Sequence, residues 1–215
     1  MKTITAFIFD LDGVITDTSE FHYQAWQRLA DEEGIPFSRE ENEKLRGVSR
    51  CESLEIMLKG RSIPEATAQI WMERKNNYYL DLVQTITPKD VLPGVLDLLA
   101  EIKASGFKAA IASSSKNAPL VISKLALQPY FDAIVDGLKV TKSKPAPDLF
   151  LQAAIELNAA PEESVIFEDA AAGIDAGKAA GMATVGLGPQ ERVGHADIVL
   201  PGLQGIALKD ITAKL

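Results

Sequence analysis

Cysteine is nearly missing from this sequence: Cys51 is the only one, and histidine occurs twice. No internal disulfide can form, so a reducing setting such as the cytoplasm is expected. Basic residues are also scarce, 22 Lys and Arg against 30 Asp and Glu, for a formal net charge of -8. That balance argues against nucleic acid or an anionic membrane as the main partner, since either asks for a basic face. A small anion needs only a local pocket and stays open. Long apolar runs are missing too. The N-terminal one is broken at Asp10 and Asp12 and has no small-residue cleavage site, so neither a signal peptide nor a membrane span is expected. There is no repeat, no low-complexity tract, no Walker A sequence and no G-x-S-x-G elbow. Gly186-Leu187-Gly188 has two glycines of a dinucleotide loop, but Glu191 stands where the third belongs.

The 215 residues are 47% hydrophobic and 24% charged, the composition of an ordinary globular protein able to bury a sizeable core. Ala6-Phe7-Ile8-Phe9 reads as a strand buried on both faces, and it runs directly into Asp10-Leu11-Asp12-Gly13-Val14. Residues two apart on extended chain point the same way, so the two acids start on one side, and Gly13 lets the backbone turn after them. Asp-Gly alone is a hairpin signal, but the segment after it has helical periodicity. The alternative is a nucleophile beside a general acid/base, with a divalent cation restraining their repulsion.

Residues 17–87 read as all helical. Asp17 with Glu20 suggests a capping box for a helix ending at Gly34, and Ser38 with Glu41 and Ser49 with Glu52 suggest two more helix starts. Pro64 opens a longer helix that Pro88 should end. From Pro93 strands alternate with helices: strands at Lys108–Ala112, Ala133–Val135, Val165–Phe167, Ala183–Val185 and Ile198–Leu200, and helices at Gly94–Ala104, Ala118–Leu125, Pro147–Leu157 and Ala170–Ala180. The expected fold is α/β, a doubly wound, Rossmann-like parallel sheet with an inserted helical cap. The core would be residues 1–16 and 88–215, and the cap 17–87.

Polar groups follow four of these strands: Asp10 and Asp12, then Ser113-Ser114-Ser115-Lys116-Asn117, then Lys144, then Glu168-Asp169. Ligands of open parallel sheets bind beyond the carboxyl ends of the strands, where all four sets fall. Converging carboxylates suit Mg²⁺, although acids at a helix N-terminus are also favourable without a metal. The serine run should open a helix and offer hydroxyls and free N–H groups to an anion. His22 shares a helix face with Trp26 and Leu29, Arg50 falls in a break between helices, and Lys75 sits in a strongly charged helix where lysines are usually solvated.

These four motifs, in this order, resemble those of the haloacid dehalogenase superfamily. Within it the DLDGVITDT stretch, His22 and Trp26, Gly47-Val48-Ser49-Arg50, Arg74-Lys75-Asn76, Ser113 to Asn117 and Ser143 to Asp148 are most similar to the β-phosphoglucomutase family. The resemblance implies a Mg²⁺-dependent mutase with sugar phosphates as partners, β-glucose 1,6-bisphosphate as the phosphorylating intermediate, and a monomeric chain. It implies Asp10 as nucleophile and Asp12 as acid/base, with metal held by Asp10, the Asp12 main-chain carbonyl, Asp169 and Glu168. Ser113 and Lys144 would hold the transferring phosphate, and Arg50, Ser115 and Asn117 the second one. His22, Trp26, Arg46, Gly47, Val48, Ser49, Lys75 and Ser114 would meet the sugar. Arg46 departs from the family, where a lysine is expected, and the two cations are not interchangeable at a fitted site. Rival readings are a small-metabolite phosphatase on the same fold, a dehalogenase, and a binding protein carrying a phosphorylatable aspartate.

Overall fold

The computed structural model describes residues 4–215; residues 1–3 of the expected core span 1–16 lie outside the described residues. The chain opens with β1 (Ala6–Phe9) and then makes four helices, α1 (Ser19–Glu33), α2 (Arg39–Glu43), α3 (Arg50–Leu58) and α4 (Glu65–Val83). Alternation follows: α5 (Val95–Ala104), β2 (Lys108–Ala112), α6 (Ala118–Lys124), β3 (Ala133–Val135), α7 (Asp148–Leu157), β4 (Ser164–Glu168), α8 (Ala171–Ala179), β5 (Ala183–Leu187), α9 (Gln190–Val193), β6 (Ile198–Leu200) and α10 (Leu208–Thr212). The six strands form one sheet in the order β3-β2-β1-β4-β5-β6, and every pair is parallel. This is the doubly wound α/β fold. No helix among the described residues is long and apolar enough to cross a membrane.

β1 is central because all four of its residues are fully buried, which a strand covered by helices on both faces requires. Phe7 and Phe9 face one apolar cluster with Phe167, whose ring stacks on Phe9 at 4.4 Å; Ala6 and Ile8 face a second cluster with Phe150 and Ile166. A third cluster, built on Trp26, Leu29, Leu54 and Met57, lies within the helical segment. Ala25, Tyr79, Val83 and Ile86 belong instead to the first cluster, so the roots of α1 and α4 are seated in the sheet's own core.

Several local expectations change, each for a visible reason. The Asp17–Glu20 capping box does not form. Asp17 accepts from the Ser19 amide, Glu20 pairs with Arg39, and the N-cap Thr18 gives its hydroxyl to Asp12 rather than to its own helix. α4 stops at Val83, five residues before Pro88, because Thr85 bonds back to the Leu82 carbonyl at 2.7 Å and Pro88 opens a separate 3₁₀ turn. The serine run does not begin a helix: Ser113 and Ser115 each bond the amide two residues on, and α6 starts only at Ala118, with Pro119 in its first turn. Arg50 opens α3 instead of lying in a break, because Ser49 and Glu52 complete a full capping box just before it.

Helix α5 depends on Gly94 at its N-terminus, where φ is +84° and a β-carbon would lie 2.1 Å from the Leu203 carbonyl oxygen. Gly94→Ala should therefore cost at least about 2 kcal/mol, from the left-handed backbone and the forced shift of packed main chain. Urea unfolding of the two proteins reads that loss directly.

Candidate active site

The carboxyl ends of β1 and β4 meet at the centre of the sheet, and their acids converge there. One carboxylate oxygen from each of Asp10, Glu168 and Asp169 lies within 4.8 Å of the others. Lys144, wholly buried, is the cation among them: its ammonium donates to Asp10, to Glu168 at 2.7 Å and to the Ala112 carbonyl at 3.3 Å. Burial alone would lower its pKa, but the charges of Asp10 and Glu168 outweigh that and hold it above the ordinary lysine value. It reaches the site on the loop before α7, next to a cis Lys144-Pro145 bond.

Burial and the charge of Asp10 raise both Glu168 and Asp169 above the usual carboxylate range. Glu168 is nevertheless well partnered, taking Lys144 on one oxygen and the amides of Asp169 and Ala170 on the other. Asp169 is reached from the helical segment by Arg46 at 3.2 Å, with Arg192 at 3.6 Å. Gly13 makes room for it: φ is +78°, and a β-carbon there would lie 2.4 Å from an Asp169 oxygen. An all-oxygen set of converging buried acids, with Glu168 and Asp169 raised by the charge of Asp10, fits Mg²⁺.

Asp12 stands apart from that group. Its carboxylate accepts from Thr18, and His22 Nε2 is 3.9 Å away. Burial first, and the Asp10 charge second, push its pKa up to about 7, so near neutral pH it can both give and take a proton. Lys75 is 2% exposed, not solvated, and its ammonium meets His22 Nδ1 at 2.8 Å beneath the Trp26 and Tyr79 rings. With Lys75 donating, a neutral His22 carries its proton on Nε2, the atom facing Asp12. Burial and the neighbouring cations keep His22 and Lys75 below their ordinary pKa values.

The helical segment lies over these groups and closes a cavity of about 570 Å³. Every residue nominated from the sequence lines it except Asn117, Lys144 and Glu168, which stand behind the wall. Ser114 donates to the Gly47 carbonyl at 2.9 Å, and Ser143 to Glu52 at 2.9 Å, so sheet loops and helical segment touch on both sides of the cavity. Arg46 is held by Glu43, Ser19 and Asp169, so its guanidinium is spent on the acidic end of the site.

Sequence reasoning did not nominate Thr18, Asn76, Tyr79 or Arg192. Thr18 lies inside the DLDGVITDT stretch and carried a positional signal. Asn76 likewise lies inside the Arg74-Lys75-Asn76 stretch, whereas Tyr79 carried no signal, because which face of α4 meets the sheet is set by tertiary packing.

The fold, the acids after β1 and β4, and the buried lysine define a class. The chain belongs to the haloacid dehalogenase-like hydrolases, whose family model matches residues 7–187. Among its relatives is the β-phosphoglucomutase of Bacillus subtilis strain 168, 45% identical over 208 residues that cover 95% of this chain and 92% of that one. The crystal structure of a Clostridium difficile β-phosphoglucomutase superposes with a TM-score of 0.96 at 42% identity, covering 99% of this chain and 97% of that one. A phosphorylated carbohydrates phosphatase of Thermotoga maritima is 31% identical, with 82% of each chain covered.

Lys144→Ala should leave buried carboxylates without their cation. Stability should fall by about 3–5 kcal/mol, as for one partner removed from a buried pair, in urea unfolding at neutral pH without added divalent metal.

Proposed function

We propose that the chain is a β-phosphoglucomutase, interconverting β-glucose 1-phosphate and glucose 6-phosphate through β-glucose 1,6-bisphosphate. The observation that carries the reading is the pairing of Asp10, tied to Lys144 at the cavity floor, with Asp12 two residues on, bonded by Thr18 and 3.9 Å from His22 Nε2, under a helical cover. The Bacillus and Clostridium relatives support it. In this reading residues 17–87 act as a cap over a core of residues 1–16 and 88–215.

Starting from phosphorylated Asp10, the sugar's C6 hydroxyl attacks phosphorus, the bond to the aspartyl oxygen breaks, and Asp12 takes the hydroxyl proton. The bisphosphate so formed re-engages by its other end. Asp10 attacks the C1 phosphate, the bond from phosphorus to the sugar oxygen breaks, and Asp12 returns its proton to that oxygen. Asp10, Asp169, the Asp12 main-chain carbonyl and the well-partnered Glu168 are the groups that would hold Mg²⁺, whose charge offsets that of the phosphoryl oxygens. Ser113 and Lys144 serve the transferring phosphate; Arg50, Ser115 and Asn117 serve the other. His22, Trp26, Lys75, Arg46, Ser114 and the Gly47–Ser49 loop surround the sugar. Every group needed comes from one chain, which suits a monomer, and the exposed lone Cys51 suits a reducing cytoplasm.

A covered aspartyl phosphate passes its phosphoryl group to sugar, whereas an open one loses it to water. The test follows glucose 6-phosphate and inorganic phosphate together, with Mg²⁺, β-glucose 1-phosphate and a trace of the bisphosphate. Isomerisation far ahead of phosphate release, abolished in Asp10→Asn, is the expected result. Phosphate release alone would move the protein to the sugar-phosphate phosphatases, the class named for the Thermotoga relative.

His22 links the cover to Asp12. His22→Ala should slow transfer to sugar more than loss of phosphate to water; equal slowing of both would remove it from that role.

A further inference from the structure

Arg50 is the guanidinium of the cavity that has no carboxylate partner: among the described residues it forms no ion pair, whereas Arg46 is held by Glu43 and Asp169. Its one side-chain partner is Asn76, whose Oδ1 accepts from Arg50 Nη2 at 2.6 Å. The same oxygen accepts from Asn117 Nδ2 at 2.9 Å. A guanidinium can only donate, so the Asn76 atom facing it must be the amide oxygen, and Asn117 must then present its nitrogen. Arg50 belongs to α3 and Asn76 to α4, whereas Asn117 belongs to the turn that follows β2. One neutral oxygen thus joins the helical segment to the sheet at this end of the cavity.

A second contact lies alongside. Tyr79, three residues after Asn76 on the same face of α4, has its hydroxyl 3.3 Å from that of Thr18. Arg50 and Ser115 line the cavity, while Asn76 and Asn117 stand behind them. Asn76 therefore works through Arg50 and does not touch the contents of the cavity.

We infer that Asn76 is a positioning residue for the non-transferring phosphate, orienting Arg50 across the junction of cap and core without neutralising it. A carboxylate would hold Arg50 as firmly, but it would cancel the charge that an incoming phosphate needs. The neutral amide supplies the same acceptor and leaves the guanidinium cationic. It also makes the second phosphate site depend on docking of the helical segment, because the fastened groups come from both sides. The inference rests on the two-phosphate reading proposed above.

The test measures binding of β-glucose 1,6-bisphosphate and of glucose 6-phosphate by calorimetry, with Mg²⁺ present and turnover blocked by Asp10→Asn. Asn76→Ala and Asn76→Asp are each added to that parent. Asn76→Asp keeps the shape and the acceptor for both donors, so a residue that merely braced the interface would leave affinity unchanged or improved. Bisphosphate affinity should instead fall about tenfold in Asn76→Ala and at least as far in Asn76→Asp. An Asn76→Asp protein binding the bisphosphate within about twofold of the parent overturns the inference and leaves the two-phosphate reading intact. A parent that binds the bisphosphate no more tightly than glucose 6-phosphate overturns both.

Discussion

Everything in this molecule accommodates one electrostatic problem, the meeting of buried carboxylates at the ends of β1 and β4. Asp10, Glu168 and Asp169 bring carboxylate oxygens within 4.8 Å of one another, and Lys144 is the buried charge that lets them coexist. The rest of the architecture serves that contact. The register of β1 beside β4 sets Phe9 opposite Phe167 and so brings the following acids together. Gly13 gives up a side chain so that Asp169 can come close, and the amides that open α8 take the second oxygen of Glu168. Like charges held this way call for a cation, and a cation held there would attract phosphoryl oxygens, which is the setting phosphoryl transfer uses.

Asp10 and Asp12 show how environment separates two identical side chains two residues apart. Asp10 is clamped by a buried ammonium, whereas Asp12 has a hydroxyl partner, an imidazole near it and the repulsion of its neighbour. One is suited to attack, the other to carry a proton. The helical segment completes the division of labour. His22 and Lys75 approach Asp12, Arg46 approaches Asp169, and Arg50 with Asn76 approaches the turn after β2. Each contact joins a group from the cover to a group from the floor, so the site is whole only when the two lie together.

Much of the fold was legible because its signals are local. Apolar runs of three to five residues ending in polar turns marked the strands, and three of them agree to the residue: Lys108–Ala112, Ala133–Val135 and Ile198–Leu200. The misreadings came where a polar side chain had a distant partner. Thr18 bonds Asp12 instead of capping α1, and Glu20 turns to Arg39. Lys75 looked solvated because the residues around it in sequence are charged, yet the face of α4 it shares with Tyr79 is pressed onto α1. Arg46 does line the cavity, but its pairing with Glu43 and Asp169 was not legible from the sequence around it.

By itself the sequence determined the α/β fold, the inserted run of helices and the four polar clusters at the strand ends. Periodicity of 2 and 3.6, turn residues and strand-end carboxylates are properties of neighbouring residues and need no knowledge of the whole. The tertiary structure alone decided which charges meet, which are buried and which stay unpaired. Lys144 lies 134 positions from Asp10 and Asn76 lies 41 from Asn117, so their contacts exist only once the sheet order and the seating of α4 are set. Burial then acts on groups already in contact: it raises Asp12, while the charges around the buried Lys144 keep that ammonium cationic against Asp10.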